Sequence, residues 1–85
     1  MKNVEIYTGP FCAFCDAAKK LLLRNNIPYK EINISTEEGK MNEMLSKSRG
    51  KKTIPQIFFD DLHVGGYEEL RALEKEGKLN SLLEI

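Results

Sequence analysis

The sequence predicts an α/β fold: a mixed four-stranded sheet built in the order βαβαββα, with helices covering both faces. Three observations carry that prediction. Two alternating, β-prone runs, Val4-Glu5-Ile6-Tyr7 and Tyr29-Lys30-Glu31-Ile32-Asn33-Ile34, flank one helical pattern, which predicts parallel strands joined by a right-handed crossover. A third run, Pro55 to Phe59, is separated from a short fourth, Leu62-His63-Val64, by Asp60-Asp61, turn chemistry that predicts an antiparallel return. Finally, apolar residues recur at helical spacing in each long connection.

The elements follow in order. Thr8-Gly9-Pro10 breaks the first strand. From Ala13 onward Ala17, Ala18, Leu21 and Leu22 share one helical face, with Asp16 early and Lys19, Lys20 and Arg24 later, as the helix dipole favours. Asn25-Asn26 ends that helix and Pro28 forbids its continuation. After the second strand, Ser35 followed by Glu38 has the spacing of a capping box, with Thr36 as a competing cap and Gly39 interrupting early. Met41, Met44 and Leu45 form the apolar stripe of this second helix, both methionines being core candidates, and Arg49-Gly50 closes it. Lys51-Lys52-Thr53 is a polar connector. Pro55 stands at the first position of the third strand, where a strand accepts proline. Gly65-Gly66 marks a turn, Glu68 to Gly77 a third helix with Leu70 and Leu73 inward, and Leu79, Leu82 and Leu83 one last apolar turn packing on the sheet.

The chemistry concentrates in Cys12-Ala13-Phe14-Cys15, at a strand-to-helix junction. Two cysteines three apart on a first helical turn are close enough to bond. With Cys12 at the N-cap, its sulfur faces unpaired backbone N–H groups and the positive end of the helix dipole, which favour a thiolate. Such sites lower a cysteine pKa from ~8.5 into roughly 3.5–7.5. Cys12 is therefore the expected nucleophile, and the more shielded Cys15 the resolving thiol.

Composition narrows the rest. The 85 residues predict a single domain over 1–85 with a modest core. Lys plus Arg and Asp plus Glu number 13 each, so no basic excess points to nucleic acid and no polybasic run to a membrane surface. No apolar run approaches the ~18 residues a membrane span requires. The segment Met1-Lys2-Asn3-Val4-Glu5 lacks the apolar core of an export signal, so a reducing cytoplasm is expected, where a cysteine pair is more often catalytic or metal-binding than structural.

Three motifs stand together in register: Cys12-Ala13-Phe14-Cys15, Thr53-Ile54-Pro55 and Gly65-Gly66-Tyr67-Glu68-Glu69-Leu70. In order and spacing they resemble the glutaredoxins, the small bacterial dithiol type, over nearly the whole chain. The resemblance implies the thioredoxin-like fold and a glutathione-dependent thiol–disulfide oxidoreductase that reduces protein disulfides and glutathione mixed disulfides through Cys12 and Cys15. It implies that Pro55 is cis beside the redox pair, and that Ile54 offers its backbone to the glutathione peptide as an added strand. Phe14, Lys52 and Thr53 are implied glutathione contacts on the same side. Gly66, Tyr67 and Glu68 are implied contacts across from them, where the N–H groups opening the third helix receive the γ-glutamyl carboxylate. Glutathione is thus the implied co-substrate, disulfide-bearing proteins the implied partners, and a monomer the implied state.

The sequence departs from that pattern. Ala13-Phe14 replaces the usual Pro-Tyr, Gly9 stands where a Lys is common, and Glu68 replaces an Asp. An alternative from another class is a [2Fe–2S] carrier or sensor, a dimer holding a cluster through one Cys12 per chain and two glutathiones. Ala13 favours that alternative and Gly9 opposes it. A zinc site needs four ligands, and only Cys12, Cys15 and His63 offer suitable donors. A reductase served by a flavoprotein leaves the Gly-Gly turn without a purpose. His63 reads as a surface residue of an edge strand.

Overall fold

The computed structural model describes residues 1–84. The order is β1 (Val4–Thr8), α1 (Ala13–Arg24), β2 (Lys30–Asn33), α2 (Lys40–Lys47), β3 (Gln56–Phe59), β4 (Leu62–Gly65), α3 (Tyr67–Lys75) and α4 (Leu79–Leu83). The strands lie side by side as β2-β1-β3-β4. β1 pairs parallel with β2 and antiparallel with β3, and β3 pairs antiparallel with β4. This is the mixed sheet with helices on both faces that the sequence predicts.

Alternation along the strands separates two apolar layers, because successive side chains point to opposite faces. On one face Val4, Ile6, Ile57 and Phe59 meet Ala18, Leu21 and Leu22 of α1, Leu70 of α3, and Leu79 and Leu83 of α4. On the other, Tyr7, Ile32 and Phe58 meet Met44 of α2, with Ile34 and Ile54 packed at the margin. The terminal apolar turn predicted on the sheet is α4.

Two expectations fail in the second helix. It does not start at a Ser35–Glu38 capping box. The Asn33 carboxamide captures Ser35 first, accepting from its N–H at 2.9 Å and from its hydroxyl at 2.6 Å, so Ser35 is spent on a turn. Gly39 then takes a left-handed conformation (φ 79°) and α2 begins at Lys40. That start also moves Met41 off the core. The buried edge of the helix is Met44 and Ser48, one turn apart, and Met41 is exposed on the flank.

The fold brings four chain segments to one end of the sheet: the exit from β1, the first turn of α1, the entry to β3, and the turn from β4 into α3.

Candidate active site

Cys12 is the N-cap of α1, with extended backbone (φ −119°, ψ 97°), and its sulfur accepts the Cys15 N–H at 3.0 Å. The two cysteines are joined by a disulfide, with Cα atoms 5.2 Å apart. Their surroundings differ. Cys12 is half-buried with its sulfur at the rim, whereas Cys15 is 2% exposed beneath it. The preceding Phe11 is fully exposed and in the left-handed region (φ 54°), so the chain turns sharply just before Cys12.

The Ile54–Pro55 bond is cis, as the resemblance implies. Ile54 carries its carbonyl oxygen to 3.8 Å from the Cys12 sulfur, a close approach rather than a hydrogen bond, since a disulfide sulfur holds no proton. Facing this edge, Gly65 adopts φ 118°, and a side chain there would collide with the Glu69 carboxylate at 2.8 Å. The positive φ calls for glycine, and a side chain there would in addition have to push the Glu69 carboxylate aside. Glu69 closes the turn: its Oε1 accepts the Gly66 N–H at 2.7 Å, half of a capping box, the other half being impossible for glycine.

Between the two edges runs a groove of about 170 Å³ lined by Phe14, Thr53, Ile54, Pro55, Gly66, Tyr67, Glu68 and Glu69. Phe14 and Tyr67 stack across one end, with ring centroids 5.9 Å apart and planes within 23°. Seven of the eight residues implied for glutathione therefore lie together here. Lys52 does not. It is exposed on the connector, and the neighbouring Lys51 instead lines an adjoining hollow of about 360 Å³ with Thr53, Gln56, His63 and Glu69.

His63 differs from expectation. It is half-buried, stacked on Phe58 with centroids 4.8 Å apart, and its Nε2 lies 2.6 Å from Gln56 Oε1. Burial, and then the Lys51 cation, hold the imidazole below its usual pKa, against an upward pull from Glu69. Among the described residues no group of three or more His, Cys, Asp or Glu is gathered as a metal site. Of the two cysteines only Cys12 is partly exposed, so a cluster would have to draw its other ligands from outside the chain.

A family profile for glutaredoxin matches residues 4–64. The chain belongs to the glutaredoxin family. It is 49% identical to Glutaredoxin 1 of Rickettsia felis, over 99% of this chain and 83% of that protein. It is 43% identical to Glutaredoxin 3 of Escherichia coli K12, over 98% and 99%. The solution structure of a glutaredoxin from Brucella melitensis superposes with a TM-score of 0.82 at 47% identity, covering 98% of this chain and 89% of that one. The fold is accordingly thioredoxin-like and the activity class that of a glutaredoxin, thiol–disulfide oxidoreduction. Among the described residues, no helix is long and apolar enough to cross a membrane.

Sequence reading passed over Glu69 and Gln56. Glu69 had a signal: Gly66 and Glu69 stand at the capping spacing applied elsewhere to Ser35 and Glu38. Gln56 is the one polar residue between Pro55 and an unbroken apolar run, an oddity that only its cross-strand partner explains.

Proposed function

We propose that this single-domain glutaredoxin, acting as a monomer in the cytoplasm, is a glutathione-disulfide oxidoreductase. Its substrates are glutathionylated proteins and protein disulfides, with Cys12 as nucleophile. One observation carries the reading: Cys12 caps a helix at the rim of a groove while Cys15 lies closed off behind it.

As a thiolate, Cys12 attacks the glutathionyl sulfur of a mixed disulfide. A Cys12–glutathione disulfide forms, the original S–S bond breaks, and the protein thiolate leaves with the electron pair. A second glutathione thiolate then attacks the glutathionyl sulfur, releasing oxidised glutathione and restoring Cys12. On a protein disulfide, Cys12 attacks one sulfur, the substrate S–S bond breaks and its other thiolate leaves. Cys15 then attacks the Cys12 sulfur, releasing the second substrate thiolate and closing Cys12–Cys15. Two glutathiones reduce that bond, with release of oxidised glutathione. The N-terminal amides of α1 stabilise the anion that attacks and later leaves, and a lower thiol pKa speeds departure.

The groove supports glutathione as the bound group. The free N–H groups of Tyr67 and Glu68 at the start of α3 suit a carboxylate, and the Ile54 main chain offers an edge to an extended peptide. Glu68 lines the groove, and its carboxylate suits the glutathione ammonium. Phe14 and Tyr67 cover the apolar stretch between.

The test is mass analysis of the reduced chain after oxidised glutathione, with and without Cys15→Ser. The Cys15→Ser variant should trap one glutathione on Cys12 and retain reduction of glutathionylated substrates, and Cys12→Ser should lose it. An adduct trapped on Cys15, or turnover by Cys12→Ser, would sink the assignment.

A further inference from the structure

The edge that faces the sulfur has no ladder to hold it. β3 begins only at Gln56, so Thr53 and Ile54 lie outside the strand pairing. Ile54 packs at the margin of the smaller cluster, and Thr53 is held by one buried side chain. Gln56 is 3% exposed, and its Nε2 donates to the Thr53 carbonyl oxygen at 3.0 Å and to Thr53 Oγ1 at 3.1 Å. A carbonyl only accepts, so the amide nitrogen must face Thr53 and the amide oxygen must face away. That oxygen meets His63 Nε2 at 2.6 Å. An amide oxygen also only accepts, so His63 must carry its proton on Nε2. The imidazole, flat against Phe58, is fixed in place to do so.

Building on the proposed function, we propose that His63 is a positioning residue for the glutathione edge, acting through Gln56 on Thr53. The donors all run one way, from His63 to Gln56 to Thr53. The direction has a consequence at the groove. Thr53 has its carbonyl and a hydroxyl lone pair occupied, and its hydroxyl proton is free, so it presents a donor to the peptide. Reversing the Gln56 amide would set two oxygens against each other at Thr53 and misplace the edge. With its proton on Nε2, His63 donates to the outer oxygen and so favours this orientation of the amide over the reverse. The polar approaches of the Cys12 sulfur are to the Cys15 N–H and the Ile54 carbonyl, not to these three side chains, so the device governs the docked tripeptide rather than intrinsic thiol reactivity.

The test compares two substrates of the reduced full-length chain: a glutathionylated peptide, and 4,4′-dithiodipyridine, a disulfide with no peptide to dock. With His63→Leu, KM for the glutathionylated peptide should rise about fivefold, equivalent to about 1 kcal/mol at 1.4 kcal/mol per decade, with kcat nearly unchanged. The dithiodipyridine rate should hold. His63→Gln, whose amide nitrogen falls near the position of Nε2, should restore KM. Nitrogen-15 NMR of the unaltered chain should show the neutral His63 protonated on Nε2, a readout independent of any variant's folding. A KM unmoved by His63→Leu, an equal loss on both substrates, no rescue by His63→Gln, or a proton on Nδ1 would each overturn the role. An unaltered chain that shows no preference for the glutathionylated peptide would instead sink the proposed function.

Discussion

The two faces of the sheet are held by different means. Eleven buried residues join β1 and β3 to α1, α3 and α4 on one side. Four form the cluster on the other, and α2 supplies only Met44 to it. Polar bonds supplement that sparse contact. Tyr7 donates its hydroxyl to Glu43, which Lys40 also pairs at 2.9 Å. Lys47 pairs with Glu5 at 3.0 Å while its ammonium lies 4.5 Å from the Phe58 ring centre. The active site straddles the divide. Cys12 and the turn into α3 are anchored on the larger face, whereas Ile54 packs on the smaller cluster beside the residues that set its edge. The sulfur is thus mounted on the half with more apolar packing and the substrate edge on the half with less.

The largest expected effect tests the anchored half. Leu21 is fully buried in the main cluster, and Leu21→Ala should cost about 3 kcal/mol in urea unfolding. Against a total of roughly 4–13 kcal/mol for a chain this size, that is a heavy loss. A cost below about 1 kcal/mol would mean this layer is not the anchor.

Met44→Ala comes next, at about 2 kcal/mol, since α2 has no second buried apolar side chain to compensate. Its signature should be local. Hydrogen exchange should quicken in α2 amides before α1 amides, and binding of glutathionylated substrate should weaken more than attack by Cys12. Equal acceleration in both helices would erase the distinction between the faces. Tyr7→Phe should follow at about 1 kcal/mol, by deleting the hydroxyl bond to Glu43. Burial, then Glu43, raises the Tyr7 pKa above its ordinary value. The folded state therefore binds that proton more tightly than the unfolded chain. The resulting stability is present below the ordinary tyrosine pKa and is lost as pH climbs beyond it. Tyr7→Phe should be free of that alkaline loss, and an identical fall in both proteins would refute the account.

How much of this was legible from the residues depends on the range of the cause. β1, α1 and β3 follow from alternation and helical spacing, and the cysteine pair from a local motif. The start of α2 does not, because Asn33 outcompetes a helix cap for Ser35, and both outcomes use residues found in caps and turns alike. Lys52 was assigned to glutathione by the resemblance, yet it is Lys51 that turns toward the neighbouring hollow. Gln56 and His63 meet across the β3–β4 hairpin, where His63 stands opposite Phe58 and the register shifts beyond that pair, between Ile57 and Phe58, on the Gln56 side. No pattern along the chain announces a register shift.

The smallest effect marks where polar bonds matter least, on the larger face. Glu74 of α3 accepts Arg24 of α1 at 2.7 and 2.9 Å, the Asn25 carboxamide at 2.7 Å and Arg71 at 3.0 Å. Chiefly through the Arg24 hydrogen bonds, these donors lower its pKa from the ordinary 4.5 to about 2. The carboxylate is thus favoured in the folded state. Its contribution is complete above the ordinary value and fades as pH falls from 4.5 toward about 2. Arg24 is half exposed, so solvent screens the pair, and Glu74→Gln should cost under about 1 kcal/mol at neutral pH. Urea unfolding at pH 7 and pH 3 should show the gap between the two proteins shrinking in acid. A gap that holds constant would mean that Glu74 serves by shape alone. A gap as wide as that of Tyr7→Phe would mean that the larger face depends on polar closure as much as the smaller one does.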